Sequence, residues 1–236
     1  MVRITDMNEN ADTTGPAPRS NTTLNQEAYR RLEEMIVTLE LAPGTLVSES
    51  ILSRQLGIGT TPIREALQSL AREYLVDIIP RRGVVVTTID IRRQFEVLEA
   101  RRELDRLLSS AAARRSSAIE RKGFVENLER TRRAIAANDV REFLRLDAEL
   151  NQLLSKAARN ATAAALASTL HTVSRRFWFY HHNPQTALVE IGPLHADLVE
   201  AIASGDPALA GAASNRLNDY LVQFANATLP HQLNCG

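Results

Sequence analysis

Residues 46–88, LVSESILSRQLGIGTTPIREALQSLAREYLVDIIPRRGVVVTT, decide the fold of the first third of the chain. Ser48 followed by Glu49 is a helix start, and Ile51, Leu52 and Leu56 are placed on one face behind it. Gly57-Ile58-Gly59 breaks that helix. A second helix opens at Thr60-Thr61-Pro62, with Thr61 or Thr60 as its N-cap. Pro62 suits a first turn, because the amide hydrogen it lacks would find no intrahelical partner there. Ile63, Ala66, Leu67 and Leu70 recur at helical spacing, so Arg64 and Gln68 point outward. Two β-branched runs follow, Val76–Ile79 and Val84–Thr88, joined by Pro80-Arg81-Arg82-Gly83. That is a hairpin with two arginines at its tip. Helix, tight turn, helix and basic hairpin are the layout of a winged helix-turn-helix, whose second helix enters the major groove.

Working outward, Gln26 to Leu39 reads as a first helix, with Tyr29, Leu32, Ile36 and Leu39 toward the core. The segment before it, MVRITDMNENADTTGPAPRSNTT, lacks an apolar signal core and reads as a disordered tail over 1–22. The DNA-binding domain is placed at 23–90. The chain balances 28 Lys and Arg against 28 Asp and Glu, so any affinity for nucleic acid rests on where charge sits. Between Arg54 and Arg82 five arginines face only Glu65, Glu73 and Asp77, and Arg64, Arg81 and Arg82 are placed to meet phosphates or base edges. The lone Cys235 rules out a disulfide framework within one chain, which suits a reducing cytoplasm. No apolar run approaches the roughly 18 residues of a membrane span, so no membrane partner is expected.

The same stretch resembles the GntR family of bacterial transcription regulators. Leu41-Ala42-Pro43-Gly44 matches that family's bend, Thr61-Pro62-Ile63-Arg64-Glu65-Ala66-Leu67 its recognition helix, and Leu75-Val76 with Pro80-Arg81-Arg82-Gly83 its exit and wing. The resemblance implies sequence-specific binding of double-stranded DNA through Thr61, Arg64 and Gln68 on the helix and Arg81, Arg82 and Gly83 on the wing. Gly59-Thr60 stands where the family commonly has Ser-Arg, and Ser50 where some members have arginine. The expectation is therefore DNA binding with an operator unlike the usual one.

From Asp90, a helix cap, to about Leu229 there is no strand signal. About six helices are expected, at 91–114, 117–137, 139–157, 160–181, 187–203 and 207–227. They are separated by Ser116-Ser117, Asn138-Asp139, Arg159-Asn160, Asn183-Pro184 and Ser204-Gly205-Asp206-Pro207. The fold class is thus mostly α, a winged helix-turn-helix followed by an all-α bundle at 91–230 whose core can hold a ligand. The alanine-rich ATAAALASTL must pack closely on a neighbour.

This half resembles the FadR-like subgroup of the same family, whose helical domain binds an effector and dimerises. Glu99-Ala100-Arg101-Arg102-Glu103-Leu104-Asp105 matches its opening helix, Asp147 through Asn160 its "D-x-x-FH…N" segment, and Pro193 through Asp206 its "EH-x-x-I-x-x-AI-x-x-GD" segment. In many members one aspartate and three histidines hold a divalent metal. Here Asp147 and His195 keep their places, but Asn151 and Asn218 replace two imidazoles, and neutral amides are poor ligands for such metals. No tightly held cofactor is expected. A weakly bound divalent metal would have Asp147 and His195 as its ligands. Arg101, Asp147, Asn151, His195 and Asn218 are instead expected to line an effector pocket, with Arg101 suited to a carboxylate. In the aromatic run Arg175 to His182, packing and dimer contacts stand beside a second reading in which Trp178 or Tyr180 lines that pocket.

The function implied is a homodimeric, effector-responsive regulator, acting as a repressor on a pseudo-palindromic operator. Two alternatives are an enzyme built around Asp147 and His195, for which no G-x-S-x-G motif exists, and an architectural DNA-binding protein without an effector.

Overall fold

The computed structural model describes residues 21–229. The expected tail lies outside them except at its end, where α1 (Asn21–Val37) already begins, five residues ahead of Gln26. Then come β1 (Leu46–Val47), α2 (Glu49–Leu56), α3 (Thr60–Arg72), β2 (Val76–Ile79) and β3 (Gly83–Val86). Six helices follow: α4 (Ile91–Arg115), α5 (Ala118–Ala136), α6 (Val140–Ala157), α7 (Ala161–His181), α8 (Ala187–Ser204) and α9 (Pro207–Ala227).

Buried apolar side chains form two clusters. One gathers Leu32, Ile36, Leu52, Ile63, Leu67, Leu70 and Val86 around α3. The other runs through α4 to α9 and also takes in Val37 from the end of α1. α1 therefore packs on α3 and on α7, joining the two units.

Local chemistry explains the boundaries. Ser48 accepts a hydrogen bond from the Ile51 amide to start α2, and Gly57 ends it in the left-handed region at φ 66°. Asp90, Asp139, Asn160 and Asp206 cap α4, α6, α7 and α9, and Ser117 with Glu120 forms a reciprocal capping box on α5. Three local expectations change. The N-cap of α3 is Gly59 rather than a threonine, so its first amides have no side-chain partner. Ile51 is 51% exposed, because α2 is two turns long and seats only Leu52 and Leu56, four residues apart. In ATAAALASTL only Ala163 and Ala167 are buried, whereas Leu166 is 58% exposed.

The three-stranded sheet has the order β1-β3-β2, all antiparallel. β1 was not expected from the sequence; it pairs Leu46 with Val85 and Val47 with Val84. The bend at Pro43-Gly44 makes this pairing reachable: Gly44 sits at φ 81° and donates to the Val86 carbonyl at 2.8 Å. The wing turns through Pro80-Arg81-Arg82 between Ile79 and Gly83, which pair across the hairpin. The Arg82 amide donates to the Ile79 carbonyl at 3.0 Å, and Arg81 takes φ 64°.

Candidate functional site

The first surface lies on α3 and the wing. Ile63, Ala66, Leu67 and Leu70 are buried, which turns Thr61, Arg64 and Gln68 to solvent along one face. Arg64 does not hang free. Its Nε and Nη2 donate to Glu49 at the start of α2, at 2.8–3.1 Å, so a carboxylate holds the guanidinium as a fork. A groove of about 480 Å³ runs between this pair and the wing, with Thr60 and Arg64 on one wall and Ile78, Pro80 and Arg81 on the other. Arg81 and Arg82 are both exposed at the tip. Gly83 also has a structural duty in the wing. At φ +117°, a Cβ there would stand 2.7 Å from the Val47 carbonyl oxygen, so glycine is required for β1 to lie against β3.

A helix with outward Thr, Arg and Gln beside a doubly basic hairpin suits groove reading plus phosphate neutralisation. We expect the double variant Arg81→Ala/Arg82→Ala to bind all duplexes more weakly and to lower the magnitude of the salt-dependence slope by about 1–2, as two lost phosphate contacts would. Titration at several salt concentrations measures it; an unchanged slope would take the wing tip off the backbone.

The second site is a cavity of about 30 Å³ inside the bundle, room for roughly two waters. Its polar wall is Arg101 on α4, Asp147 on α6, His171 and Arg175 on α7, and His195 on α8. Its apolar wall includes Phe143, Trp178 and Leu221. The Phe143 ring meets His195 edge-on with centroids 5.1 Å apart. Arg101 is paired with Asp105 one turn on, at 3.0 Å, and Asp105 also binds His171 Nε2 at 2.6 Å. Burial works against the Asp105 carboxylate, but Arg101 and His171 outweigh it and hold its pKa down to about 2. Arg175 is held despite burial by Glu33 and Asp147, which raise its pKa further. Burial lowers the pKa of His195, against the pull of Asp147, so its ring is neutral near pH 7.

The expected pocket residues divide. Arg101, Asp147 and His195 converge on the cavity. Asn151 does not; it donates to Asp147 Oδ2 at 3.3 Å and lines a cleft of about 430 Å³ between α1, α6 and α7. Asn218 is buried but does not line the cavity, since its amide donates to the Leu98 carbonyl at 3.3 Å. Trp178, not the 53% exposed Tyr180, lines the cavity. Asp105, His171 and Arg175 were missed. The signal was present on α7, where His171, Ser174, Arg175 and Trp178 fall on one face at spacings of three and four.

This donor set does not fit a divalent metal. Asp147 and His195 are only two strong donors, the Arg175 guanidinium stands 3.5 Å from Asp147 Oδ2, and Asn151 turns an N–H group, not its oxygen, toward that carboxylate. Among the described residues no group of three or more His, Cys, Asp or Glu side chains converges as a metal site.

A winged helix-turn-helix carrying a helical bundle with a small internal cavity is the architecture of a DNA-binding transcription regulator. Residues 24–86 match the bacterial regulatory proteins of the gntR family and residues 96–219 match the FCD domain. The chain belongs to the GntR family, as a member with an FCD domain. It is 30% identical over 200 residues to an HTH-type transcriptional regulator in an unstable DNA locus of Streptomyces ambofaciens, covering 84% of this chain and 83% of that one. It is 29% identical over 187 residues to the HTH-type transcriptional repressor RspR of Escherichia coli K12, covering 78% and 80%. The E. coli McbR/YncC structure shares the fold at a TM-score of 0.74 and 17% identity, over 86% of this chain and 97% of that one. The family and these relatives are regulators of transcription, not enzymes. Among the described residues no helix is long and apolar enough to cross a membrane.

Proposed function

We propose that the protein is a homodimeric, cytoplasmic repressor whose hold on a pseudo-palindromic operator is set by a small carboxylate in the bundle cavity. The observation that carries this reading is the cavity itself: two arginines, two histidines and Asp147 on one wall, aromatic and aliphatic side chains on the other. A guanidinium fork matches a carboxylate, and the apolar wall suits a short carbon skeleton. The repressor name of one relative supports the direction of control. The adjacent helices α4 and α7 leave Leu107 45% and Leu166 58% exposed, which supports a paired bundle face. DNA reading is assigned to Thr61, Arg64, Gln68, Arg81 and Arg82, and effector contact to Arg101, Asp147 and His195, with Asn151 at the cleft. The test is a gel shift with a duplex selected from random sequence by the wild-type protein, repeated across small carboxylates. An operator that no carboxylate releases would overturn the effector reading.

We propose further that the site works without a resident metal. Protein purified without chelator or affinity tag should carry well under one equivalent of zinc or nickel by elemental analysis. Near-stoichiometric metal would show that Asp147 and His195 recruit an ion by rearranging around Arg175.

A further inference from the structure

A chain of polar contacts runs from the recognition helix to the cavity. Glu73, the C-cap residue of α3, accepts a hydrogen bond from Tyr29 Oη at 2.6 Å. Tyr29 and Glu33 stand one turn apart on α1. Glu33 accepts from Thr172 Oγ1 at 2.6 Å and from Arg175 Nη2, both on α7. Arg175 Nη1 reaches Asp147 Oδ2 at 3.5 Å, and Asp147 faces His195. The side chains of Glu33, Arg175 and Asp147 are 15%, 11% and 14% exposed, so this is a largely desolvated join between the two units.

The cavity is charge-saturated. Around it the guanidinium groups of Arg101 and Arg175 face three carboxylates, Glu33, Asp105 and Asp147. An entering carboxylate finds no free cation and space for only about two waters. It must take one arginine from a present partner. Arg101 is a poor donor to such an exchange, because Asp105 lies on its own helix and is locked by His171. Arg175 is the exchangeable one. Together with His171 it lines both the cavity and the interdomain cleft, so the two side chains stand between cavity and cleft. Its partner Glu33 belongs to α1.

We propose that Arg175 reads the effector: a small carboxylate enters past His171, takes the guanidinium from Glu33, and so loosens α1 and the end of α3 on α7, leaving Thr172 as the remaining partner of Glu33 there. This rests on the carboxylate-pocket reading above and adds how occupancy reaches DNA. Occupancy and operator binding then oppose each other through one shared side chain, and the coupling is reciprocal.

Trp178, the single tryptophan, lines the cavity and reports on it by fluorescence. Acetate is the probe, titrated against chloride at constant ionic strength into the full chain. Glu33→Gln, nearly isosteric, should bind acetate at least about fivefold more tightly than wild type, the lower end of ordinary allosteric coupling. Arg175→Gln should lose the saturable response, and Arg175→Lys, which keeps charge and bulk without the fork, should weaken it by a similar factor or more. Arg145→Gln, which breaks the exposed pair with Glu34 between the same units, should match wild type. Acetate should also weaken operator binding by wild type but not by Glu33→Gln, already weakened without it. Equal acetate affinity in wild type and Glu33→Gln would overturn the exchange and leave the pocket standing. So would an acetate-bound wild type with undiminished operator affinity. The lack of any saturable Trp178 response in wild type and Glu33→Gln would overturn the pocket and the exchange together.

Discussion

Arg64→Ala is expected to weaken operator binding by about 5- to 150-fold while the fold and the helical domain stay intact. The range is that of one good guanidinium contact to a base edge or phosphate, roughly 1–3 kcal/mol. Arg64 is the outward arginine of the N-terminal half of α3 and stands on the wall of the groove shared with the wing. Glu49 makes the case more specific. Its carboxylate holds Nε and Nη2 of Arg64, so the free protein presents an aimed guanidinium rather than a mobile one. An Arg64 that meets DNA brings that carboxylate toward the phosphates with it. Arg64→Ala therefore removes the attraction and leaves Glu49 unneutralised, which places the loss toward the upper part of the range. Glu49→Gln is the companion variant, since it relieves repulsion but loosens the aim. It should strengthen binding to all duplexes while narrowing the gap between operator and random sequence. Fluorescence anisotropy at fixed salt, with a far-ultraviolet spectrum confirming the fold, measures both. A folded Arg64→Ala protein with wild-type affinity would take this residue out of the interface.

What could be read in advance divides along a physical line. Helix boundaries in the second half were legible because each depends on a few neighbouring residues: Asp90, Ser117, Asp139, Asn160 and Asp206 cap the helices they precede. The outward face of α3 was legible because five apolar residues in thirteen leave little freedom in how the helix is rolled. β1 was not. Two residues carry no periodicity, and Leu46-Val47 is a strand only because the bend at Gly44 delivers it to β3. The cavity shows the same division. Asp147 and His195 were found through the resemblance to the FadR-like subgroup, whose motifs they match. Arg175 sits in an arginine-aromatic run whose local pattern reads as packing, and its partners lie on other helices, Glu33 142 residues away on α1 and Asp147 on α6. Asn218 misled for the converse reason. It occupies the expected turn of α9, yet the carbonyl of Leu98 takes its amide and it does not line the cavity.

Gly83 has a structural duty in the wing that stands whether or not DNA touches it. Gly83→Ala is expected to destabilise the winged unit by about 2–4 kcal/mol and to lower its melting temperature by roughly 10 °C or more. Two costs add. The backbone stands at φ +117°, which L side chains rarely adopt and which costs on the order of 1–3 kcal/mol for a residue with a Cβ. That Cβ would also sit 2.7 Å from the Val47 carbonyl oxygen, and the obstacle is backbone, not the yielding end of a side chain. The simplest relief is to peel β1 from β3, breaking the pairing of Leu46 with Val85 and of Val47 with Val84. Amide exchange without DNA separates this from a direct contact. Faster exchange at Val84 and Val86 in Gly83→Ala, with α4 to α9 as protected as before, is the expected pattern. Operator affinity should then fall in proportion to the fraction of wing unfolded and recover on cooling. A variant that melts and exchanges like wild type but fails to bind DNA would return Gly83 to the contact surface, with the phosphate backbone passing where its missing side chain would be.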